Sequence, residues 1–276
     1  MSSASRPGST STASSTGSRN SRSRNGSGST TGSAVRGARE RARSEITAAI
    51  KDEARRQLAA EGAAKLSLRA VARELGMVSS ALYRYFPSRD ELLTALIVDA
   101  YDAVGAAAER ALADVDAHAE AQAAGPAGPA ARWTAVCVAV RAWAVAHPHE
   151  YALIYGSPVP GYAAPAATIA PASRVGLALI SIARDAHRGP GVAPPPLSAD
   201  LRPEADRLTA DLAPDLPAGL VVALVAAWSQ VFGLISFEVF GQFNRIVEDR
   251  ETFFSYAVSR LARDAGLVLP GSAHPR

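Results

Sequence analysis

The side chains best suited to chemistry in this sequence fall in one short run: Ser79, Ser80, Ala81, Tyr83, Arg84 and Tyr85. Hydroxyls and the arginine fork donate to phosphate oxygens and to the acceptor edge of guanine, while short side chains at a helix start allow close approach to base edges. Ser67 and Arg89 fit the same target, because each begins a helix whose free backbone N–H groups favour phosphate. Taken singly, each residue has an ordinary role. Arg84 reads equally well as a solvated charge, Tyr83 and Tyr85 as cover for a small core, and Ala81 as a good helix former. The set is much harder to dismiss than any member. No nucleophile motif, phosphate loop or dinucleotide fingerprint is present, so neither an enzyme nor a cofactor is expected. His147, His149 and Glu150 have ligand chemistry, but Pro148 breaks the helix between them and no second cluster lies nearby. No metal is expected there.

These residues need helices to present them, and the pattern supplies them. Ile46, Ile50, Ala54 and Leu58 recur every four residues, predicting a helix from about Arg39 to Ala60. Ser67 is a good N-cap, and Leu68, Val71, Ala72 and Leu75 follow at i, i+3, i+4 and i+7. Gly76 supplies the left-handed C-cap, and a third short helix covers about Ser79 to Phe86, with Leu82 and Phe86 inward. Pro87 stops it. Ser88 caps a fourth helix with Asp90 and Glu91 in its first turn, extending as far as Ala119 and long enough to join two domains. Two short helices joined by a tight turn form a helix-turn-helix, a common way to lay a helix in the DNA major groove.

The rest of the chain also reads as helical. Trp133, Val136, Cys137, Val140, Trp143 and Ala144 share one face of a helix ended by Pro148. After a Gly/Pro-rich stretch, Gly156 to Pro171, a helix covers about Ser173 to His187. Residues 189–217 hold seven prolines and read as a long loop, and two helices, about Ala218 to Phe243 and Asp249 to Ala265, close the chain. Without βαβ alternation or a repeat, the fold class is all-α. The domains expected are a disordered basic tail (1–37), the helix-turn-helix domain (38–91), a larger helical domain (92–267) and a C-terminal tail (268–276).

Charge follows that division. Sixteen Lys and Arg against eight Asp and Glu give residues 1–91 a net +8; the whole chain is +3, so residues 92–276 carry −5. A basic front and an acidic back point to a polyanion met by the front alone. Arg6, Arg19, Arg22, Arg24 and Arg36 of the tail add non-specific phosphate attraction or are merely solvated. The lone cysteine, Cys137, rules out a disulfide framework and fits a reducing cytoplasm. The N-terminus has neither the apolar core of a secretory signal nor the amphipathic face of a transit peptide. Leu216 to Phe237 is uncharged and long enough to span a bilayer, but Ser229, Gln230, Pro217 and Gly219 favour a helix buried in protein, and no membrane contact is expected.

ALYRYFPSRDELL, preceded by LRAVARELG, resembles the DNA-binding domain of the tetracycline-repressor (TetR) family of bacterial regulators over about residues 40 to 95. The resemblance implies that Ser79, Ser80, Ala81 and Tyr83 touch DNA and that Ser67, Tyr85 and Arg89 hold phosphates. Two departures stand out. Val78 occupies the usual Ser/Thr cap position, shifting the expected cap to Ser79, and Ser79-Ser80 replaces a frequent Pro-Gly or Lys-Gly pair. Further on, Arg141 to Pro165 and Ala227 to Phe243 resemble a regulatory domain of the same family named for a Trp-His-Gly signature, with Trp228 and Gly233 matching and Phe232 in the His position.

The resemblance implies that 92–267 is a helical ligand-binding and dimerisation domain, and that the chain is a homodimeric repressor on a palindromic operator, released by a small apolar or aromatic effector. The alternative is a helical architectural module that binds DNA mainly non-specifically. The dimer is expected through helices 218–243 and 249–265, where Ala223, Ala226, Ala227 and Gly233 permit close approach and Phe237, Phe240, Phe253, Phe254 and Leu261 supply area; an intramolecular core would read the same. Trp133, Trp143, Tyr151, Tyr155 and Trp228 are the candidate effector-pocket residues, with core packing the alternative for each.

Overall fold

The computed structural model describes residues 29–122, 127–189 and 192–267, with side chains from residue 37 onward. The parts of the expected tails at 1–28 and 268–276 lie outside the described residues. Residues 47–276 form one compact unit, to which all packing below refers; residues 1–46 are a separate unit, of which the first part of α1 is described. Every regular element among the described residues is helical.

Helix α1 (Ser29–Glu61) begins ten residues before the expected Arg39, through a Ser-, Thr- and Gly-rich stretch whose intrinsic propensity does not account for it. From residue 47 its pattern reads directly as burial. Ile50, Ala54 and Leu58 are buried beneath α2 (Leu68–Glu74), α3 (Ser79–Leu82) and the start of α4 (Arg89–Ala121). Leu68, Val71 and Ala72 of α2 meet Leu82 of α3, Phe86 beyond it, and Leu92, Leu93 and Leu96 of α4 in one core. Ser67 caps α2 by accepting from the Ala70 N–H, and Ser88 caps α4 by accepting from the Glu91 N–H. Gly76 takes a φ of +63° as the chain leaves α2, where the Met77 N–H returns to the Ala72 carbonyl at 2.8 Å. Helix α3 is shorter than expected, although hydrogen-bonded turns carry the chain on to Phe86. Its N-cap remains Val78, with no side-chain cap, so the cap does not shift to Ser79: the Ala81 N–H already bonds to the Val78 carbonyl at 2.9 Å.

Helix α4 enters a second core. Its Ala100, Val104 and Ala108 pack with α5 (Pro129–Ala146), α7 (Ile169–Arg188), α9 (Ala218–Val239) and α10 (Arg250–Asp264). Trp133, Val136 and Val140 of α5 sit at its centre with Ile182, Leu220, Ile235 and Val258. Arg174 ties α7 to α4 by bonding to both Asp102 and Glu109, and its stem lies over Gly105. A Cβ at Gly105 would stand 2.7 Å from that stem, so the helices approach this closely because the residue is glycine. Arg141 of α5 makes a bidentate pair with Glu238 of α9 at 2.6 and 2.7 Å, both side chains largely buried, with the guanidinium over the Phe254 ring.

Three expectations change. Pro148 ends α5 but also opens α6 (Pro148–Tyr155), a position where its missing N–H costs nothing. Pro171 lies within the first turn of α7, which therefore starts at Ile169 rather than near Ser173. The proline-rich loop of 189–217 contains α8 (Arg202–Leu212), with Pro203 in its first turn and Arg207 paired to both Glu204 and Asp211. Two helical stretches, 166–188 and α9, are long and apolar enough to cross a membrane. Both put part of their apolar surface into the second core.

Candidate nucleic-acid interface

The outer side of α3 and its following turn is built by elimination. Leu82 and Phe86 turn inward, which leaves Ser79, Ser80, Tyr83 and Arg84 exposed and Ala81 half-buried. Tyr83 keeps 41% of its surface, too much for a residue covering the core. Tyr85 differs: it is half-buried and packs against that core. Ser67 accepts its cap bond through Oγ, so its O–H remains a donor. Arg89 has work inside the fold. Its guanidinium donates to the carbonyls of Ala63 (2.8 Å), Ala64 (3.3 Å) and Leu66 (3.2 Å), and touches Asp90. The turn before α2 is thereby fastened to the start of α4.

The five aromatic residues expected in a pocket divide into two groups. Trp133 is fully buried, with its indole N–H on the Val258 carbonyl at 3.1 Å. Trp143 is buried and stacks on His147 at 5.3 Å. Tyr151 is buried, bonded to Ser236 at 2.8 Å and to the Phe232 carbonyl. These three belong to the packed interior and line none of the cavities described next. Tyr155 and Trp228 do line cavities, in company that periodicity does not reveal.

The first cavity, about 820 Å³, is lined by Leu58 at the end of α1, the turn at 62–64, α6 and the residues after it, and Ser236 and Phe240. A second, about 690 Å³, is walled by Tyr101 of α4, Tyr155 of α6, Tyr162 and Val159 of the 156–165 strap, and Trp228. A third, about 420 Å³, lies among α7, α8 and α9 and shares Ala172, Ser173 and Trp228 with the second. In the wall of the second, Tyr101 and Tyr155 meet (5.9 Å), and the buried Phe232, which does not line it, links Tyr155 (4.3 Å) to Trp228 (5.6 Å). Burial pushes the Tyr155 phenol well above the usual tyrosine range, so it stays protonated. Burial likewise pushes the Cys137 thiol far up, which makes it an inert core residue.

Two sets of contacts join this region to the helix-turn-helix. Val159 and Tyr162 of the strap, with Leu153 of α6, pack on its core, and the Tyr162 hydroxyl meets Thr94 at 2.9 Å. Asp99 of α4 accepts from Lys51 (2.8 Å) and Arg55 (2.7 Å) of α1, while Arg55 also stands 3.6 Å from Glu150 of α6. Glu150 thus faces a cation, and His147 stacks elsewhere, so they do not converge with His149 as a ligand set.

The fold and the exposed α3 face can be set beside known proteins. The pattern described as bacterial regulatory proteins, tetR family, matches residues 50–96, and the tetracyclin repressor-like C-terminal domain matches residues 133–261. The HTH-type transcriptional regulator Rv1816 of Mycobacterium tuberculosis is 43% identical over 218 residues, covering 75% of this chain and 86% of its own; Mb1846 of Mycobacterium bovis matches to the same extent. Among solved structures, SCO4313, assigned as a regulatory protein, has 33% identity and a TM-score of 0.62 over 80% of this chain and 97% of its own. A Rhodococcus sp. RHA1 protein of unknown function, 22% identical, shares the fold at a TM-score of 0.58 over 78% of this chain and 94% of its own. Both halves of the chain, matched separately by sequence and together by fold, lead to one assignment: it belongs to the TetR family of helix-turn-helix transcriptional regulators.

Proposed function

We propose that this regulator is a homodimeric repressor whose α3 reads a palindromic operator in the major groove and which a small apolar or aromatic effector releases. The observation that carries the reading is the outward set Ser79, Ser80, Tyr83 and Arg84, held by an inward Leu82 and Phe86. Tyr83 and the two serines contact base edges, while Ser67 and Arg84 hold phosphates. Tyr85 assists from its half-buried position through its hydroxyl edge. Arg89 acts chiefly by setting the pitch of α4 against the turn at 63–66, and a phosphate would compete with Asp90 for its Nη1. Such a regulator works in the bacterial cytoplasm, where its DNA is.

The dimer forms through one face of α9 and one of α10. Ala226, Gly233, Phe237 and Phe240 are exposed at spacings of three to seven, and Phe253, Tyr256 and Arg260 repeat the pattern on α10. Phe254 and Leu261, expected on that face, are instead buried within the protomer, and Tyr256 takes their place. A Cβ at Gly233 would meet nothing within the protomer, so the space in front of it is open to a second copy. A two-fold axis there sets two α3 helices side by side for successive major grooves.

The effector occupies the second cavity, where Tyr155 and Trp228 stand. The strap over that cavity also rests on the helix-turn-helix core, so a ligand that favours a displaced strap shifts the population away from the operator-binding state. The test is binding to duplexes selected from a random pool, compared with unselected duplexes across a salt series. Specific binding that Tyr83→Ala abolishes while the dimer persists is the expected result. Equal affinity for both duplexes with a steep salt slope would instead establish the non-specific architectural reading.

A further inference from the structure

We propose that the second and third cavities together bind one elongated, uncharged molecule, its hydrogen-bonding head between Tyr101, Tyr155 and Trp228 and its apolar tail among α7, α8 and α9. This inference deepens the effector reading above and rests on it for any consequence at DNA.

Continuity comes first. The two cavities share Ala172, Ser173 and Trp228, so these side chains alone bound both, and a ligand seated against the Tyr155 ring lies next to the third cavity. Their chemistry differs end to end. The third cavity is walled by aliphatic side chains such as Leu179, Ile180, Leu208 and Leu224, and suits a hydrocarbon. The second carries hydroxyls, of which most are engaged. Tyr101 donates to the Ile154 carbonyl, Thr168 to Pro165, Ser173 to Ala170, and Tyr162 meets Thr94. The Tyr155 hydroxyl has no protein partner among the described residues, which leaves a protonated phenol, beside the Tyr101 ring in the same wall, for the head of a ligand.

Charge decides the class. Among the described residues no Lys, Arg or His lines either cavity, and the second has no carboxylate. Asp211, in the lining of the third cavity, is the sole charged side chain, and it is exposed and already paired with Arg207. A carboxylate or phosphate head would lose its water and gain no counter-charge; an ammonium head would gain cation–π attraction from the rings, but less than its desolvation costs without a carboxylate partner. An uncharged head bears neither cost.

Gly176 allows the tail site to be closed alone. It lines the third cavity on α7, and a Cβ there meets nothing within 4 Å, so Gly176→Leu adds a side chain into open space within a helix. The probes are 4-nonylphenol, its charged counterparts 4-nonylbenzoate and 4-nonylbenzylammonium, and the short 4-propylphenol, titrated into the full-length protein and followed by calorimetry and tryptophan emission. We expect 4-nonylphenol to bind at least about tenfold more tightly than either charged counterpart. Gly176→Leu should weaken 4-nonylphenol by about tenfold and leave 4-propylphenol unchanged. A charged probe binding as tightly as 4-nonylphenol overturns the assigned class, a comparison that needs no variant. Unchanged 4-nonylphenol affinity in a folded Gly176→Leu protein overturns the joined site. If the expected pattern holds but operator affinity ignores the bound ligand, the joined site stands and the effector reading fails.

Discussion

Replacing Tyr162 by Phe isolates the strap's polar tie to the helix-turn-helix. The Thr94 hydroxyl donates to the Asp90 carbonyl at 2.8 Å, so its one proton is committed, and Tyr162 must be the donor across their 2.9 Å contact. Tyr162→Phe keeps the ring that packs on the core and removes this one bond, leaving Thr94 able to keep its own. A part-buried neutral hydrogen bond contributes about 1 kcal/mol net, which corresponds to about a fivefold change in an opening equilibrium. Hydrogen exchange reads that opening at the Tyr162 amide, which donates to the Val159 carbonyl at 3.1 Å within the strap. Exchange there should quicken about fivefold, with amides of α2 unaffected. Thr94→Val should do the same, and the double variant should add little to either single one. Once an effector is in hand, its half-release concentration should fall by the same factor, because the bond holds the strap in the ligand-free state. Additive effects of the two substitutions, or exchange at 162 that matches the parent protein, would refute the claim that this bond holds the strap.

Other substitutions probe separate parts of the structure. Arg141→Ala strands the Glu238 carboxylate, whose side chain is only 8% exposed, and should lower stability by about 3 kcal/mol in urea unfolding; Arg141→Met with Glu238→Leu should recover most of it. Gly233→Arg fills space that is empty in the protomer, so the chain should fold with an unchanged helical spectrum yet elute as a monomer and lose operator binding. A dimer of this variant, by light scattering, would remove α9 from the interface. Deleting residues 1–28 removes Arg6, Arg19, Arg22 and Arg24. Affinity should fall evenly across sequences and the salt slope should lessen by up to about 3 to 4, whereas an altered sequence preference would contradict a purely electrostatic tail.

The sequence was most legible where a helix face reports burial directly. Leu68, Val71 and Ala72, and Trp133, Val136 and Val140, sit inside as their spacing predicts, because a period of 3.6 translates one-to-one into which side meets the core. It was least legible where the outcome depends on contacts between distant backbone groups. Arg89 reads as a helix-start cation, yet its partners are carbonyls 23 to 26 residues earlier, and a carbonyl has no residue type to recognise. Helix α8 was hidden by counting prolines without their positions, since Pro203 falls where a helix tolerates one. The aromatic residues show the same limit. Trp133 and Trp228 are chemically alike, but one meets Val258 in a sealed core and the other stands at the junction of two cavities.

That difference bears on the proposed release by an effector. Helix α4 supplies residues to both cores and therefore moves with both, while the strap of 156–165 lines a cavity on one side and rests on the helix-turn-helix on the other. A ligand in the packed core near Trp133 would have to disrupt α5 and α10 to be felt at α3. One beside Trp228 and Tyr155 need only displace the strap, held by Val159, Tyr162 and one hydroxyl pair, a change small enough for differential binding energy to supply.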